Sequence, residues 1–208
     1  MGNNNNKKQP NERHRPPHIY IDRMWYFVTC GTREKIPFFD TEDKKDILLN
    51  ILKEKTVHFD IRLKAWVIMK NHYHLLFRIT NKETLPLFIG QINGRSSKEI
   101  NSLDKVKGRS IWYNYWDRFP RNEVDFYSYF NYIHINPLKH GEVSLSDKVI
   151  KIQDEVWRLN ADSTTDFHTA LTQYKYSSYS FYLRKYGESG MLNIWMDYPI
   201  IVNIEGAE

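Results

Sequence analysis

The sequence predicts an α+β fold: a ferredoxin-like antiparallel sheet with helices packed on one face, plus a C-terminal extension. Three observations predict it. Hydrophobic periodicity runs strand, helix, two strands, helix, possible strand, helix. The two adjacent strands meet at Lys70-Asn71, a connection short enough for an antiparallel hairpin. A hydrophobic content of 41% over 208 residues suffices for a core.

Residues 1–18, "MGNNNNKKQPNERHRPPH", are low in complexity, basic and rich in Asn and Pro, and are expected to be a disordered arm. "IYIDRMWYFVTCGT" (19–32) is dense in aromatic and β-branched residues and reads as a first strand. "FFDTEDKKDILLNILKEKT" opens a helix with Asp40 or Thr41 as N-cap, acids in the first turn, and an apolar stripe of Ile47, Leu48, Ile51 and Leu52. Residues 58–69 and 72–79 form the paired strands. A second helix lies within 83–104, its limits blurred by Pro86, Gly90 and Gly94. "SIWYNYWDRFP" is partly extended, and 121–136 is a third helix ending before Pro137. The expected organisation is an arm at 1–18, a main domain at 19–143 and an extension at 144–208 that completes or flanks it.

Composition narrows the function classes. The single cysteine, Cys30, excludes an intramolecular disulfide and a Cys-rich zinc site, which fits a reducing cytoplasm. No apolar run approaches the roughly 18 residues that span a membrane, and no signal-peptide apolar region is present. Net charge is +5, and 15% of residues are aromatic. Lys and Arg interleaved with rings suit a nucleic acid, since rings stack on bases while cations follow phosphates; a basic protein with an aromatic core has the same composition.

The segment "WVIMKNHYHLLFRIT" (66–80) places two imidazoles one residue apart in a core strand. Successive strand side chains alternate between faces, so Tyr73, Leu75, Phe77 and Ile79 share one and His72, His74, Leu76 and Arg78 the other. The apolar set packs on helices. The histidine face is expected to be open for a ligand, as in RNA-recognition modules of similar topology. Two neutral imidazoles on one face can hold a divalent metal, and a hard cation would need oxygens and waters besides.

The third helix offers partners. Tyr132 and Asn136 are four apart and stack one turn above the other, with Asp125 and Tyr129 on the same side. Phe126, Phe130 and Ile133 make its core-facing stripe, and Tyr132, at the boundary of that face, can project toward the sheet with the Asn136 carbonyl oxygen beside it. Residue physics alone favours a packing role for Tyr132, and a routine turn or cap for Asn136 before Pro137.

Four blocks in order, "MKNHYHLLF", "RSIWYNYWDRF", "FNYIHINPLKHGEV" and "YKYSSYSFY", resemble the single-tyrosine transposases of the HUH superfamily, and most of all the REP-associated tyrosine transposases. The resemblance spans about residues 20 to 183. It implies that His72 and His74 bind metal (Mg²⁺ or Mn²⁺), that Asn136 is the third ligand, and that Tyr132 is the nucleophile. Lys70 stands where the family commonly has proline, which puts an extra cation near the DNA. The implied partner is single-stranded DNA with a hairpin, handled by a monomer or a homodimer. The implied reaction is a transesterification through a 5′-phosphotyrosine, with no external energy. Lys7, Lys8, Arg13 and Arg15 of the arm, with Lys70, Arg78, Arg118 and Arg121, are the candidate DNA contacts, each weighed against ordinary surface placement. Three rivals stand beside this reading: a hairpin DNA- or RNA-binding protein that has lost turnover, a related relaxase or replication-initiation nuclease, and a structural α+β protein with incidental histidines.

Overall fold

The computed structural model describes residues 20–145, 150–153, 156–159 and 164–198. Strands β1 (Trp25–Gly31), β2 (Arg62–Ile68), β3 (His72–Arg78) and β4 (Trp116–Arg118) form one sheet in the order β2-β3-β1-β4, antiparallel throughout. With helices α1 (Glu42–His58) and α2 (Thr84–Leu103) in the two crossovers, this is the ferredoxin-like arrangement expected from the sequence.

The elements start where local chemistry places them. The first strand begins at Trp25 rather than residue 19, because Asp22-Arg23 makes a turn with Arg23 in the left-handed region (φ 55°). Thr41 caps α1, its hydroxyl accepting from the Lys44 N–H. That helix runs on to His58, and Asp60 turns left-handed (φ 50°) before β2. The second strand is therefore shorter than 58–69.

Alternation along β3 sorts its side chains as predicted. Phe77 meets Phe88 of α2, and the Tyr73 hydroxyl donates to Asn93 on the same helix. The opposite face is not open. Helix α3 (Glu123–Lys139) lies across it, with Tyr129 stacked on Phe27 and Tyr132 edge-on to His74. The α+β class holds, and the sheet has a helix on its second face because α3 is apolar on more than one side.

Helix α3 does not stop before Pro137; it continues through it to Lys139. Proline removes only its own bond to a carbonyl one turn earlier. The helix then ends in a Schellman motif: Glu142 N–H donates to Pro137 O, Gly141 N–H to Leu138 O, and Gly141 takes φ +67°.

The chain beyond 145 contributes a hairpin, β5 (Ile150–Gln153) with β6 (Val156–Leu159), then α4 (Thr164–Gln173) and α5 (Tyr179–Asp197). The segment between α4 and α5 extends the sheet at the β2 edge: Ile68 N–H donates to Tyr176 O, and Ser178 N–H to Trp66 O. Phe130 and His134 of α3 then pack on Tyr182 of α5, so α3 is covered on the side away from the sheet. Phe126, Phe130 and Ile133 form the core-facing stripe expected of them, with Phe126 on Trp25 of β1 and Phe130 on Tyr182 of α5, while Tyr129 and Tyr132 meet the sheet at Phe27.

Candidate active site

Two elements make the site. Strand β3 supplies His72 and His74, whose rings lie 4.8 Å apart, centre to centre. Helix α3 supplies Tyr132 and Asn136, one turn apart and both buried.

His74 is fully buried and sits opposite Thr29 of β1, whose Oγ1 is 2.8 Å from His74 Nδ1. Its other nitrogen, Nε2, is buried and makes no hydrogen bond among the described residues. Burial pushes this imidazole well below its ordinary pKa, reinforced by His72 nearby, so it is held neutral. A buried nitrogen with nothing to bond is costly unless something binds it.

His72 poses a sharper problem. Its Nδ1 is 2.8 Å from Asn71 Oδ1 and its Nε2 is 3.2 Å from Asn136 Oδ1. Both amides are oriented by their own donors: Asn71 Nδ2 donates to Lys35 O, and Asn136 Nδ2 to Tyr132 O. Two oxygens therefore face one ring. A neutral imidazole carries a single N–H, so one lone pair of the ring must face a lone pair of an amide. Protonation would relieve this, but burial and the neighbouring His140 push the His72 pKa down to about 3. A divalent cation held by His72, His74 and Asn136 would relieve both conflicts. Among the described residues no group of three His, Cys, Asp or Glu side chains is arranged to hold a metal. The donor set is two imidazoles and an amide oxygen, which suits a divalent ion that keeps positions for water or phosphate oxygen.

Tyr132 lies in the same pocket. Its ring is edge-on to His74 at 5.2 Å and to Phe27 at 5.9 Å. Burial pushes the phenol up to about 12, opposed by Asn136. Lys139, two helical turns on, donates from Nζ to the Tyr132 hydroxyl at 3.4 Å and lies over its ring at 5.0 Å. Lys35, Lys70 and Lys139 all bear on His140, and Lys35 and Lys139 on His72 as well, so the site sits in a positive field. Such a field favours a polyanion.

The other predicted contacts fall elsewhere. Lys70 is exposed in the turn before β3, close to the pocket. Arg78 is at the far end of β3, about 20 Å along the strand from His72, and its Nε donates to Arg23 O. Arg118 stacks on Trp116, and Arg121 pairs with Asp125. Lys7, Lys8, Arg13 and Arg15 lie outside the described residues. Sequence reasoning missed Thr29, Asn71, Lys139 and His140. For Lys139 the signal was available: a residue seven after Tyr132 returns to the same helix face. Thr29 required the strand register.

No helix among the described residues is long and apolar enough to cross a membrane. The family described as IS200-like transposases matches residues 20–136. The chain is 27% identical over 126 residues to the REP-associated tyrosine transposase of Escherichia coli strain K12, covering 60% of this chain and 72% of that one. Its fold matches that of a REP-associated tyrosine transposase solved bound to a REP hairpin, with a TM-score of 0.61 at 19% identity, over 93% of this chain and 96% of the other. With more than half its length matched, this chain belongs to the IS200-like transposase family of DNA-cleaving enzymes, and its likenesses lie with the REP-associated tyrosine transposases.

Proposed function

We propose that this protein is a divalent-metal-dependent endonuclease and strand transferase that acts on single-stranded DNA beside a hairpin, through a 5′-phosphotyrosine intermediate. The observation that carries the reading is the meeting of Tyr132 with His74, and of Asn136 with His72, where α3 crosses β3. The hairpin rests on the relative whose structure is bound to one.

His72, His74 and Asn136 would hold Mg²⁺ or Mn²⁺, and the bound ion would polarise the scissile phosphate and stabilise charge on the leaving oxygen. The remaining work belongs to the chain. Asn71 and Thr29 fix the ring orientations of His72 and His74, as second partners of metal-binding histidines commonly do. Asn136, through its Nδ2 bond to Tyr132 O, ties the amide oxygen to the turn that carries the phenol. Tyr132 attacks phosphorus, its oxygen forming the new P–O bond while the 3′-oxygen leaves. Reversal by another strand's 3′-hydroxyl restores the phosphodiester. Exchange of one ester for another needs no ATP. Lys35 and Lys70 draw the backbone towards the pocket, and DNA affinity should fall with rising salt as counterions are released. Nucleophile and imidazoles come from one chain, which supports action by a single copy.

The test is a denaturing gel of end-labelled hairpin oligonucleotides with unpaired flanks, incubated with Mg²⁺ or Mn²⁺. The wild-type protein should give a covalent, protease-sensitive DNA species that EDTA prevents and Tyr132→Phe lacks. Hairpin binding with no covalent species under any of these conditions would instead assign a catalytically silent DNA-binding protein.

A further inference from the structure

The nucleophile proposed above is poorly placed to ionise on its own. Tyr132 is buried against the rings of Phe27 and His74, and a phenolate there loses the solvation that water would give it. The amine of Lys139 lies 3.4 Å from the Tyr132 hydroxyl and donates to it. Helical periodicity puts residue 139 on the same face two turns after residue 132. The Schellman closure at Gly141 fixes the last turn that carries it.

We infer that Lys139 is a catalytic residue: its ammonium donates to Tyr132 Oη and holds the negative charge that this oxygen carries as it attacks phosphorus and as it leaves. The inference rests on the transesterase reading, and it adds the group that stabilises the tyrosine oxygen. In the forward step the Tyr132 Oη–P bond forms and the bond from phosphorus to the 3′-oxygen breaks. The phenolic proton goes to solvent, and the departing 3′-oxygen takes up a proton in its place. The reverse step runs the same exchange backwards. Lys139 keeps its proton throughout and acts as a fixed positive charge.

The position is expensive for a lysine. Burial, with Lys35 nearby, pushes the Lys139 amine down to about 8. Charge aimed at a reacting oxygen in a place sheltered from water is the usual reason for such an arrangement.

The experiment compares wild-type protein with Lys139→Met, Lys139→Arg and Tyr132→Phe. The probe is a labelled pool of single-stranded hairpin oligonucleotides with randomised unpaired flanks, in saturating Mn²⁺. Adduct formation is followed in single turnover, hairpin affinity is measured separately in EDTA, and stability by urea titration. Lys139→Met should form adduct about 100-fold more slowly, the usual scale for losing one donor at a reacting oxygen. Its hairpin affinity should change by less than about threefold, in line with one phosphate contact at most. Its urea midpoint should be unchanged or higher, and Lys139→Arg should recover at least about tenfold of the rate, as a charge-conserving replacement. Adduct formation by Lys139→Met at the wild-type rate, with Tyr132→Phe inactive, would overturn the inference and leave the transesterase reading standing. A lower urea midpoint with no rescue by Arg would make Lys139 structural and also overturn it. Absence of adduct from the wild-type protein would sink the transesterase reading, and this inference with it.

Discussion

At the scale of single residues, burial holds the imidazoles on both sides of α3 uncharged. Loss of solvation pushes His72 and His134 down to about 3 and His140 to about 4, with His74 also well below its ordinary value. Like charges add to this: His140 beside His72, Lys64 facing His134, Lys139 beside His140. In an unfolded chain these rings protonate near 6.5. Between that pH and about 4 the unfolded state therefore binds more protons than the folded one. Stability must fall as pH falls through this window, and these groups have no effect above it. Each ring held neutral contributes a slope of about 1.4 kcal/mol per pH unit. Urea titrations at pH 7, 6, 5 and 4 should show the decline. His134→Asn, in which no ring can titrate, should have a slope shallower by one proton. Equal slopes in both proteins would mean that His134 is already charged in the folded state. The neutrality of His72 and His74 was legible only as a need of metal binding. Its cause, the covering of the histidine face by α3, lay outside the strand that carries them.

At the scale of elements, β3 and α3 show two kinds of legibility. Alternation over "HYHLLFRI" fixed both faces of β3, because a period of two allows no other choice in a strand buried on both sides. The four-residue spacing of Tyr132 and Asn136 placed them one above the other wherever the helix pointed. That Tyr132 could project toward the sheet was legible, and it meets His74 there; that the helix is also covered on its far side by α5 was not. Apolar and aromatic side chains run almost all round α3, so Phe126, Phe130 and Ile133 formed as good a stripe as Tyr129, Tyr132 and Asn136. Its end was misread for a different reason: Pro137 signals termination, but so near the C-terminus it costs one hydrogen bond, and Gly141 closes the helix four residues later. The two caps of α3 can be separated by experiment. Asn122 caps the N-terminus, accepting from the Asp125 N–H, and Asn122→Ala should cost about 1 kcal/mol. Gly141→Ala puts a side chain in the left-handed region, with no neighbouring atom in its way, and should cost about 1 kcal/mol as well. The difference should appear in chemistry. The C-terminal cap holds the turn bearing Lys139, so Gly141→Ala should slow adduct formation by more than about fivefold, a misplacement effect, whereas Asn122→Ala leaves the rate near that of wild type. Equal rates in the two variants would show that the cap does not position the site.

At the scale of the whole molecule, the question is whether residues after 145 are an appendage or part of the fold. Their sequence gave little to work with, because short aromatic-rich segments show no periodicity that says what they cover. The contacts are specific. Ser178 donates to Trp66 O and lies 2.8 Å from His134 Nε2, joining sheet edge and α3 through one hydroxyl. The Lys45 amine, buried, bonds Glu142 just past α3 and Tyr174 just past α4, and the Tyr174 hydroxyl donates to Ile68 O. The Lys64 amine, beside the irregularity in β2, sits over the rings of Phe126, Tyr127, Phe130 and Tyr182. Removing everything after residue 145 would strip α3 of its outer cover and bare the β2 edge, exposing apolar surface and unpaired backbone together. It would also take the Tyr174 hydroxyl from Lys45, which keeps only Glu142, and losing a hydrogen bond to a charged group costs about 2 kcal/mol. Against a total stability of about 5–15 kcal/mol, these losses leave little margin. A chain ending at residue 145 should therefore show no cooperative urea transition by near-ultraviolet circular dichroism, should bind a hydrophobic dye, and should form no covalent adduct although Tyr132, His72, His74 and Asn136 are all present. A cooperative transition within about 2 kcal/mol of the full chain's, a margin small against that range, would make α4 and α5 a detachable accessory. The site would then be organised by the sheet and α3 alone.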